Sequence, residues 1–246
     1  MICTTPRSGS TLLCEMLAAT AVAGRPGSHF HTPSLARWLA VYELEGVPFS
    51  SQKDALDAIF TAARRRGMAK TEVFGLRMQR ESFSFFMEQL ALLVPGPLTD
   101  LERIEAVFGP TTFIHLTRTD RVDQAISLLR AEQTGLWHRN FDGSEFERTA
   151  PPSQPRYDAD AIRRHIEHLS ALDRSWVQWF ESQQIAPLRI AYDALAEDPR
   201  GVLSEVLEGI GCDPTRAGSI SIPTAKLADE ESLAWKQRFM SERSVP

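Results

Sequence analysis

Short apolar runs alternate with amphipathic helical patterns along this chain. The runs are Met1–Thr5, Val73–Met78, Thr112–Thr117 and Leu188–Ala191, and each precedes a segment with apolar residues at helical spacing. Strands of a parallel sheet are buried on both faces and are therefore apolar throughout. The alternation thus predicts an α/β fold, with a central parallel sheet covered by helices.

The same periodicity predicts where the helices lie. They cover about Ser10 to Thr20, the apolar-rich segment Phe83–Val94, about Asp120 to Glu132, about Asp158 to Ser182, and a stretch with Leu203, Val206, Leu207 and Ile210 on one face. Between Thr134 and Tyr157 the periodicity stops, and this polar, proline-containing segment is predicted to be a long loop. Because no internal repeat or low-complexity tract divides the chain, we predict a single domain over residues 1–246.

The composition is that of an ordinary globular protein, with 246 residues, 43% hydrophobic and 24% charged. A chain of this length buries enough surface to fold without disulfides or a structural metal. Its three cysteines cannot all pair, and it has no CxxC motif, so neither a secreted disulfide scaffold nor a zinc site is expected. The net charge of −5 argues against a general nucleic-acid binder, because no broad basic excess is available to neutralise phosphates.

The sequence also indicates where in the cell the protein is expected. No apolar stretch approaches the roughly 20 residues that a membrane-spanning helix requires. The segment before Ala21 fits a secretory signal poorly, because polar residues from Ser8 to Thr11 and the charge of Glu15 interrupt it. We therefore expect a cytoplasmic protein with reduced thiols.

The strongest chemical signal is a strand–loop–helix motif near the start of the chain. The segment Thr5–Leu13 joins the first strand to the first helix through Gly9 and several hydroxyl residues. Such a turn points backbone N–H groups at one place, and the positive end of the helix dipole strengthens this anion cradle. Arg7 adds a guanidinium with forked donors suited to phosphate or sulfate. The alternative interpretation is that the hydroxyl residues only cap the helix.

Three better-known signatures are missing from this loop. Without G-x-x-x-x-G-K-[ST] it lacks the lysine and the metal-binding hydroxyl of an ATP-hydrolysing P-loop. Without G-x-G-x-x-G it does not match a dinucleotide fingerprint. A phosphatase loop built on Cys3 fails on spacing, because Gly9 stands where that chemistry requires an arginine.

A second candidate anion site follows the third apolar run. Arg118 stands at the strand end, and Ser127 lies seven residues after Asp120, the expected helix start. Two helical turns place Ser127 on the face of the helix start, about 10 Å along the axis. The pair is suited to hold a second phosphate. The alternative is that Arg118 forms an ordinary surface ion pair and Ser127 is a helix-surface serine.

With both motifs, the sequence resembles the sulfotransferases that use 3′-phosphoadenylyl sulfate (PAPS), and among them the bacterial trehalose sulfotransferase family. The resemblance covers most of the chain and is carried by PRSGSTLLCEML, VAGRPGSHF, FGLRM, IHLTRTDRVDQAISLLRAEQTGLW and KLADEESLAWKQRF. It implies a P-loop-like fold, PAPS as the sulfuryl donor, no metal, and a carbohydrate or glycolipid hydroxyl as the acceptor. The trehalose enzymes also suggest a homodimer.

The resemblance assigns residues to the donor. The loop that grips the 5′-phosphosulfate matches Arg7, Ser8, Gly9, Ser10, Thr11 and Leu12. The 3′-phosphate positions match Arg118 and Ser127, and Lys226 is a weaker candidate for the far side of the donor. Because arginine is a poor proton donor, the role expected for Arg7 is to stabilise the charge that develops on the leaving phosphate.

The general base is where this chain departs from the family. The resemblance implies a glutamate in the segment matching Arg25–His31, and Ser28 occupies that position. We take His29 as the preferred base, with His31 in reserve, because an imidazole pKa of about 6.5 suits the role. Alternate residues of an extended chain point the same way, so both are expected to face the acceptor. The alternative is that these histidines only bind backbone groups.

Several weaker features remain. His165 and His168 lie three residues apart on one helix face, but no third ligand is evident, so no metal site is expected. The run Arg64–Arg66 is predicted to be a solvated helix end before a glycine. Trp137 and His138 are candidates to line the acceptor site. The alternative is that Trp137 only anchors the long loop.

Two other functions stay open at this point. The first is a kinase-like nucleotide-binding enzyme, against which the missing lysine argues. The second is a non-catalytic binding protein that kept the donor loop and lost the base. The absent glutamate also leaves open whether trehalose is the acceptor.

Overall fold

The computed structural model describes residues 1–139, 144–221 and 229–243. Within these ranges the strands are β1 (Ile2–Thr4), β2 (Arg77–Gln79), β3 (Ile114–Thr117), β4 (Leu136–Arg139), β5 (Glu145–Arg148) and β6 (Leu188–Ala191). The α-helices are α1 (Ser10–Ala19), α2 (Leu35–Val41), α3 (Gln52–Met68), α4 (Arg80–Leu93), α5 (Asp100–Phe108), α6 (Arg121–Thr134), α7 (Ala159–Ser182), α8 (Tyr192–Glu197), α9 (Pro199–Gly209) and α10 (Glu230–Arg243). A 3₁₀-helix spans Pro214–Ser219.

Four of the strands form a parallel sheet in the order β2-β1-β3-β6. Strand β1 is internal, with Ile2 opposite Arg77 of β2 on one side and opposite Ile114 of β3 on the other. Helices connect the parallel strands, as this geometry requires. The predicted α/β fold with a central parallel sheet is confirmed.

Strand β2 is shorter than the predicted run Val73–Met78 and begins only at Arg77. The residues before it are held by the segment that follows α1. Leu76 forms an isolated bridge with Gly27, and Gly75 packs so closely on Pro26 that a Cβ would lie 2.6 Å from that residue's backbone. This edge of the sheet is therefore fixed by neighbouring coil as well as by β1.

Side chains alternate across the sheet and build a core on each face. Cys3 contacts a cluster rich in phenylalanine and tryptophan that α3, α4 and α7 contribute to, whereas Ile2 contacts an aliphatic cluster from α1 and α9. A third cluster joins α6, α7 and α10. Because both faces are covered, the strands can be apolar along their whole length.

Residues 134–157 were expected to form a loop, but they include a β-hairpin. Helix α6 ends at Thr134 and is capped by Gly135, which has a φ of 67°. Strand β4 then pairs antiparallel with β5. The loop prediction is wrong for these two strands. Their register shifts twice within four residues, and this irregular pairing removes the period-2 pattern that marks a strand in the sequence.

The helices can be compared with the length and apolarity needed to cross a membrane. In the described part of the chain, none of them meets both requirements.

Trp176 of α7 joins the core to the end of β1. Its side chain is fully buried, and its indole Nε1–H donates to the carbonyl oxygen of Thr4 at 2.9 Å. We predict that Trp176→Phe lowers the free energy of unfolding by about 1–3 kcal/mol, because the buried carbonyl loses its donor. Urea denaturation measures this.

The matched control is Trp179→Phe on the same helix. Its indole donates to the carboxylate of Asp100 at 2.8 Å, at the partly exposed start of α5. That carboxylate can be hydrated once the indole is gone, so we expect a smaller decrease in the free energy of unfolding. Equal losses in the two variants would show that the bond to Thr4 contributes nothing specific.

Candidate functional site

A cleft of about 1540 Å³ opens where the parallel strands end. The loop after β1, Arg118 after β3 and Tyr192 after β6 all line it, and Trp137 and His138 of β4 form part of its wall. Parallel strands end at one edge of a sheet, so segments far apart in the sequence meet there. The loop Thr5–Leu13 and the Arg118 segment, both predicted as anion sites, therefore belong to one cleft.

The loop between β1 and α1 has the backbone of an anion cradle. Arg7 and Gly9 both have left-handed φ angles, 62° and 83°. Among the described residues, the N–H groups of Arg7 through Thr11 meet no protein acceptor, and no side chain caps α1. The interpretation of the loop residues as mere caps is therefore wrong, and the free donors favour an anionic ligand.

Gly9 is required by a close contact as well as by its φ. A Cβ at Gly9 would lie 2.2 Å from Cδ2 of Tyr192. The Tyr192 ring in turn lies under the guanidinium of Arg118, at 4.7 Å from its centroid. One aromatic ring thus connects the two predicted anion-binding segments.

Gln124 of α6 holds the loop from behind. It is fully buried, and its Nε2 donates to the Pro6 carbonyl at 2.7 Å and to the Thr5 hydroxyl at 3.0 Å. In a trans peptide the C=O and the N–H point in opposite directions. The bond to Pro6 therefore turns the N–H of Arg7 away from α6 and leaves it available to a ligand.

A polar relay continues behind Gln124. Its Oε1 accepts from Arg121 at 2.7 Å, and Arg121 also binds the carboxylate of Asp173. Asp173 accepts from His115 at 3.0 Å, and these bonds hold the pKa of the Asp173 carboxyl below its usual value despite burial. The relay ties α6 and α7 to the loop, and sequence reasoning missed it because its members are scattered along the chain.

The predicted loop residues differ in what their side chains offer. The Ser8 hydroxyl is fully buried and hydrogen-bonds that of Thr4, so Ser8 can present only its backbone to a ligand. Ser10, Thr11 and Leu12 line the cleft. The Thr11 hydroxyl accepts from Arg77 at 2.7 Å and lies 3.0 Å from Nε2 of His138.

Arg7 brings a partly buried positive charge to the cleft. Its Nε donates to the Ser127 hydroxyl at 2.9 Å, and its Nη1 donates to the Trp137 carbonyl. Burial, with the nearby charge of Arg118, lowers the pKa of Arg7 to about 10. An anion between these cations would relieve the repulsion that lowers this pKa.

Arg118 also has few hydrogen-bond partners. The residue is 9% exposed, and its buried Nε has no hydrogen-bond partner within the described residues. One terminal nitrogen lies 3.5 Å from the carboxylate of Asp123. Arg118 does form an ion pair, but it is buried and not on the surface. A buried donor without a partner favours a ligand at its Nε.

Arg77 is a cleft residue that the sequence did not single out. It stands first in β2 and donates from Nε to the Ser28 hydroxyl at 2.8 Å and from Nη1 to Thr11. These partners are hydroxyl oxygens, so neither neutralises its charge. The only sequence signal was the segment FGLRM, which is weak by itself.

The two predicted bases, His29 and His31, do not share one orientation. The chain turns here, with the His31 N–H donating to the Ser28 carbonyl at 3.2 Å, so the premise of an extended segment is wrong. His31 is exposed at the cleft, whereas His29 is 8% exposed and stacks on Phe74. Burial, with the charges of Arg66 and Arg77, lowers the pKa of His29 to about 4.

The remaining predicted residues lie elsewhere. Lys226 falls outside the described residues. His165 and His168 bind Glu132 and Glu81 respectively. No group of histidine, cysteine and acidic side chains suited to a metal ion occurs in the part of the chain that the structure describes.

The arginine run is exposed in the last turns of its helix, as predicted. Helix α3 continues through Gly67 to Met68, and Arg66 donates to the Val41 carbonyl at 3.1 Å while its guanidinium lies over the Tyr42 ring. Its charge is therefore used to join α2 to α3, outside the cleft.

We predict that Gln124→Leu lowers the free energy of unfolding by about 1–3 kcal/mol for each buried partner left unsatisfied. It should also abolish the rise in Tm that inorganic sulfate produces in the wild-type protein, because the Arg7 N–H is no longer held in place. Urea denaturation and thermal melts with and without sulfate measure both effects.

Gln133→Leu, on the same helix, is the matched control. Gln133 bonds Arg156 in a solvent-exposed segment away from the loop. It should leave the sulfate effect intact. A normal sulfate response in Gln124→Leu would refute the positioning role of Gln124.

Comparisons with known proteins show the family of this chain. The model of the Stf0 sulphotransferase family matches residues 1–242. Among curated proteins, the trehalose 2-sulfotransferase of Mycobacterium tuberculosis is 29% identical over 98% of this chain and 94% of its own length. That of Mycolicibacterium smegmatis is also 29% identical, over 97% of this chain and 93% of its own.

Solved structures give more distant likenesses. The sulfotransferase domain of the Synechococcus PCC 7002 olefin synthase has a TM-score of 0.40 and 17% identity, over 97% of this chain and 93% of that domain. The sulfotransferase domain of the curacin biosynthetic pathway has a TM-score of 0.43 and 19% identity, over 100% of this chain and 96% of that domain.

Proposed function

Because the chain belongs to the Stf0 sulphotransferase family, we propose that it transfers a sulfuryl group from PAPS to a hydroxyl of a carbohydrate or glycolipid. The observation that carries this proposal is the uncapped loop of N–H donors beside two poorly neutralised cations, Arg7 and Arg118. PAPS carries anionic groups at two separate positions, and the cleft offers two separate cationic segments. The cleft thus matches PAPS in the sign of the charge and in the number of charged positions, and this match supports PAPS as the donor.

The loop is assigned to the phosphosulfate. Its N–H groups, from Arg7 to Thr11, face a ligand without competing protein acceptors. Sulfuryl transfer is an in-line displacement, in which the enzyme positions the reactants and stabilises the charge on the leaving group. The loop donors and the Arg7 guanidinium supply that stabilisation, and they need no reorganisation during the reaction.

Arg118 and Ser127 are assigned to the 3′-phosphate. The Arg118 Nε has no partner within the described residues, and the Ser127 hydroxyl, which accepts from Arg7, keeps its own proton to donate. Lys226 stays a weaker candidate for this end of the donor. No residue in this scheme holds a metal, since arginines and backbone N–H groups stabilise the charge that develops on the leaving phosphate.

Arg77 is assigned to the sulfuryl group. It reaches the donor loop through the Thr11 hydroxyl and is not neutralised by Ser28 or Thr11. A cation here stabilises the sulfuryl oxygens as the bond to the leaving phosphate lengthens. In this position Arg77 acts on the transferred group, whereas Arg7 acts on the leaving group.

The acceptor proposed is a sugar hydroxyl. The curated relatives are trehalose 2-sulfotransferases, which supports a sugar hydroxyl. Ser28 stands where the resemblance implies a glutamate, and here its hydroxyl accepts from Arg77. We therefore propose a hydroxyl of a carbohydrate or glycolipid as the acceptor.

We further propose that the chain works as a single domain, in the cytoplasm, and as a homodimer. The three cysteines cannot all pair, and each of them is a free thiol here, which supports a reducing compartment. The homodimer is supported by the resemblance alone. Light scattering on purified protein tests it, and a mass of one chain at working concentration would contradict it.

We predict that adenosine 3′,5′-bisphosphate binds the wild-type protein and that Arg7→Met and Arg118→Met each weaken it at least tenfold. Each substitution removes a charge-assisted hydrogen bond from a buried site. Calorimetric titration measures the affinities, with ADP and ATP as comparison ligands. Arg163→Met, at an exposed ion pair of α7, is the control and should bind normally. Preference for ATP, or no binding by folded protein, would overturn the proposed function.

We predict that Arg77→Met lowers kcat for release of the bisphosphate from PAPS about 100-fold, with bisphosphate affinity changed less than threefold. The bisphosphate lacks the sulfuryl group that Arg77 is proposed to contact, so the substitution should hardly change its affinity. Arg77→Lys keeps the charge and should recover part of the rate. Equal losses in binding and turnover would instead place Arg77 on the leaving phosphate.

A further inference from the structure

The order of the strands gives the cleft two sides. Strand β1 lies between β2 and β3, the donor loop follows β1, and Arg118 follows β3. A donor held by both segments extends from β3 to β1, so its sulfuryl end is directed toward β2. In an in-line displacement the acceptor attacks from the side opposite the leaving phosphate. The acceptor is therefore expected at the end of β2.

Gln79 is the last residue of β2 and lies on that side of the cleft. It stands opposite Thr4, the residue before the donor loop, and adjacent strands are about 4.8 Å apart. Side chains two residues apart on a strand share one face of the sheet, so Gln79 lies on the face of Arg77. Both residues line the cleft. Gln79 is thus a neighbour of the cation assigned to the sulfuryl group.

The side-chain oxygen of Gln79 has no hydrogen-bond donor. Oε1 is buried and makes no hydrogen bond among the residues that the structure describes. Gln79 is the N-cap residue of α4, yet its side chain does not cap that helix. The next residue, Arg80, places its guanidinium over the rings of Phe83 and Trp176. A buried acceptor without a partner is expected to receive a donor from a ligand.

The chemistry of the missing partner follows from what Oε1 can bind. An amide oxygen only accepts, so the partner must carry an O–H or N–H group. The phosphosulfate is anionic and offers only acceptors, and the donor groups of PAPS are on the ribose and adenine, at the end assigned to Arg118. The partner of Gln79 therefore comes from the acceptor molecule.

We propose that Gln79 binds the acceptor, and that its Oε1 accepts a hydrogen bond from a hydroxyl adjacent to the one that receives the sulfuryl group. This inference rests on the proposed sulfuryl transfer, and it specifies an acceptor with neighbouring hydroxyls, as a sugar ring has. The terminal torsion of glutamine is broad, so the oxygen can turn toward the cleft without a backbone movement.

The test compares Gln79→Met with wild type in sulfuryl transfer from PAPS to trehalose as the probe sugar. Methionine has a similar length and lacks the amide oxygen. We expect KM for trehalose to rise about tenfold with kcat within threefold, because the lost bond holds the sugar before and during the reaction. Affinity for the bisphosphate, measured by calorimetry, should change less than threefold, since that ligand does not reach Gln79.

Gln52→Met is the matched control. Gln52 is an exposed residue at the start of α3, outside the cleft, and it donates to Gln89 at 3.3 Å. This variant should show wild-type KM and kcat.

Trehalose analogues that each lack one hydroxyl test direct contact. In wild type, the analogue without the hydroxyl bound by Gln79 should show a KM about tenfold above that of trehalose. In Gln79→Met the same analogue should match trehalose, because the bond is already absent. Such non-additivity is the signature of a direct interaction. A purely structural role for Gln79 would make the two losses additive, and additive losses would overturn the proposal.

The remaining outcomes separate this inference from the proposed function. If wild-type protein neither binds the bisphosphate nor releases it from PAPS, both are overturned. If wild type binds the bisphosphate but sulfates no sugar, or if Gln79→Met stays within threefold of the wild-type KM, only the inference about the acceptor is overturned. An equal loss of bisphosphate affinity in Gln79→Met would also overturn it, because Gln79 would then support the donor site.

Discussion

The cleft depends on two buried donors that fix the backbone where β1 becomes the loop. Trp176 donates to the Thr4 carbonyl, and Gln124 donates to the carbonyl of Pro6. With these carbonyls bonded from behind, the following N–H groups point away from the two helices. The donors of an anion cradle are thereby set before any ligand arrives, which is the condition for electrostatic stabilisation without reorganisation.

The distribution of charge follows from the same geometry. The chain carries a net charge of −5, yet Arg7, Arg77 and Arg118 meet in one cleft. Hydroxyls and a carbonyl are the partners of Arg7 and Arg77, and Arg118 faces one carboxylate, that of Asp123, at 3.5 Å. Other cations are neutralised, as Arg130 is by Asp229 and Glu231. Poorly neutralised arginines near a cradle of N–H groups fit a ligand with several negative charges. This local excess would be invisible in the overall composition.

The parts of the fold that could be predicted are those with local signals. The apolar run Leu188–Ala191 coincides with β6, and the start of α1 at Ser10 follows from the glycine before it. The hairpin β4–β5 could not be predicted, because its pairing is irregular and its signal is therefore not periodic. The prediction that His29 and His31 both face the acceptor assumes an extended chain, and the turn at Ser28–His31 contradicts that assumption.

By itself the sequence determined the parallel α/β class, the strand–loop–helix motif at Thr5–Leu13 and the resemblance to sulfotransferases. Each depends on the order and spacing of neighbouring residues, which a chain carries before it folds. Only the tertiary structure decided which side chains meet: Gln124 behind the loop, Arg77 and His138 on the Thr11 hydroxyl, and Tyr192 against Gly9. These contacts join residues that lie between 66 and 183 positions apart (Thr11 to Arg77, Gly9 to Tyr192), and no local pattern encodes such pairs.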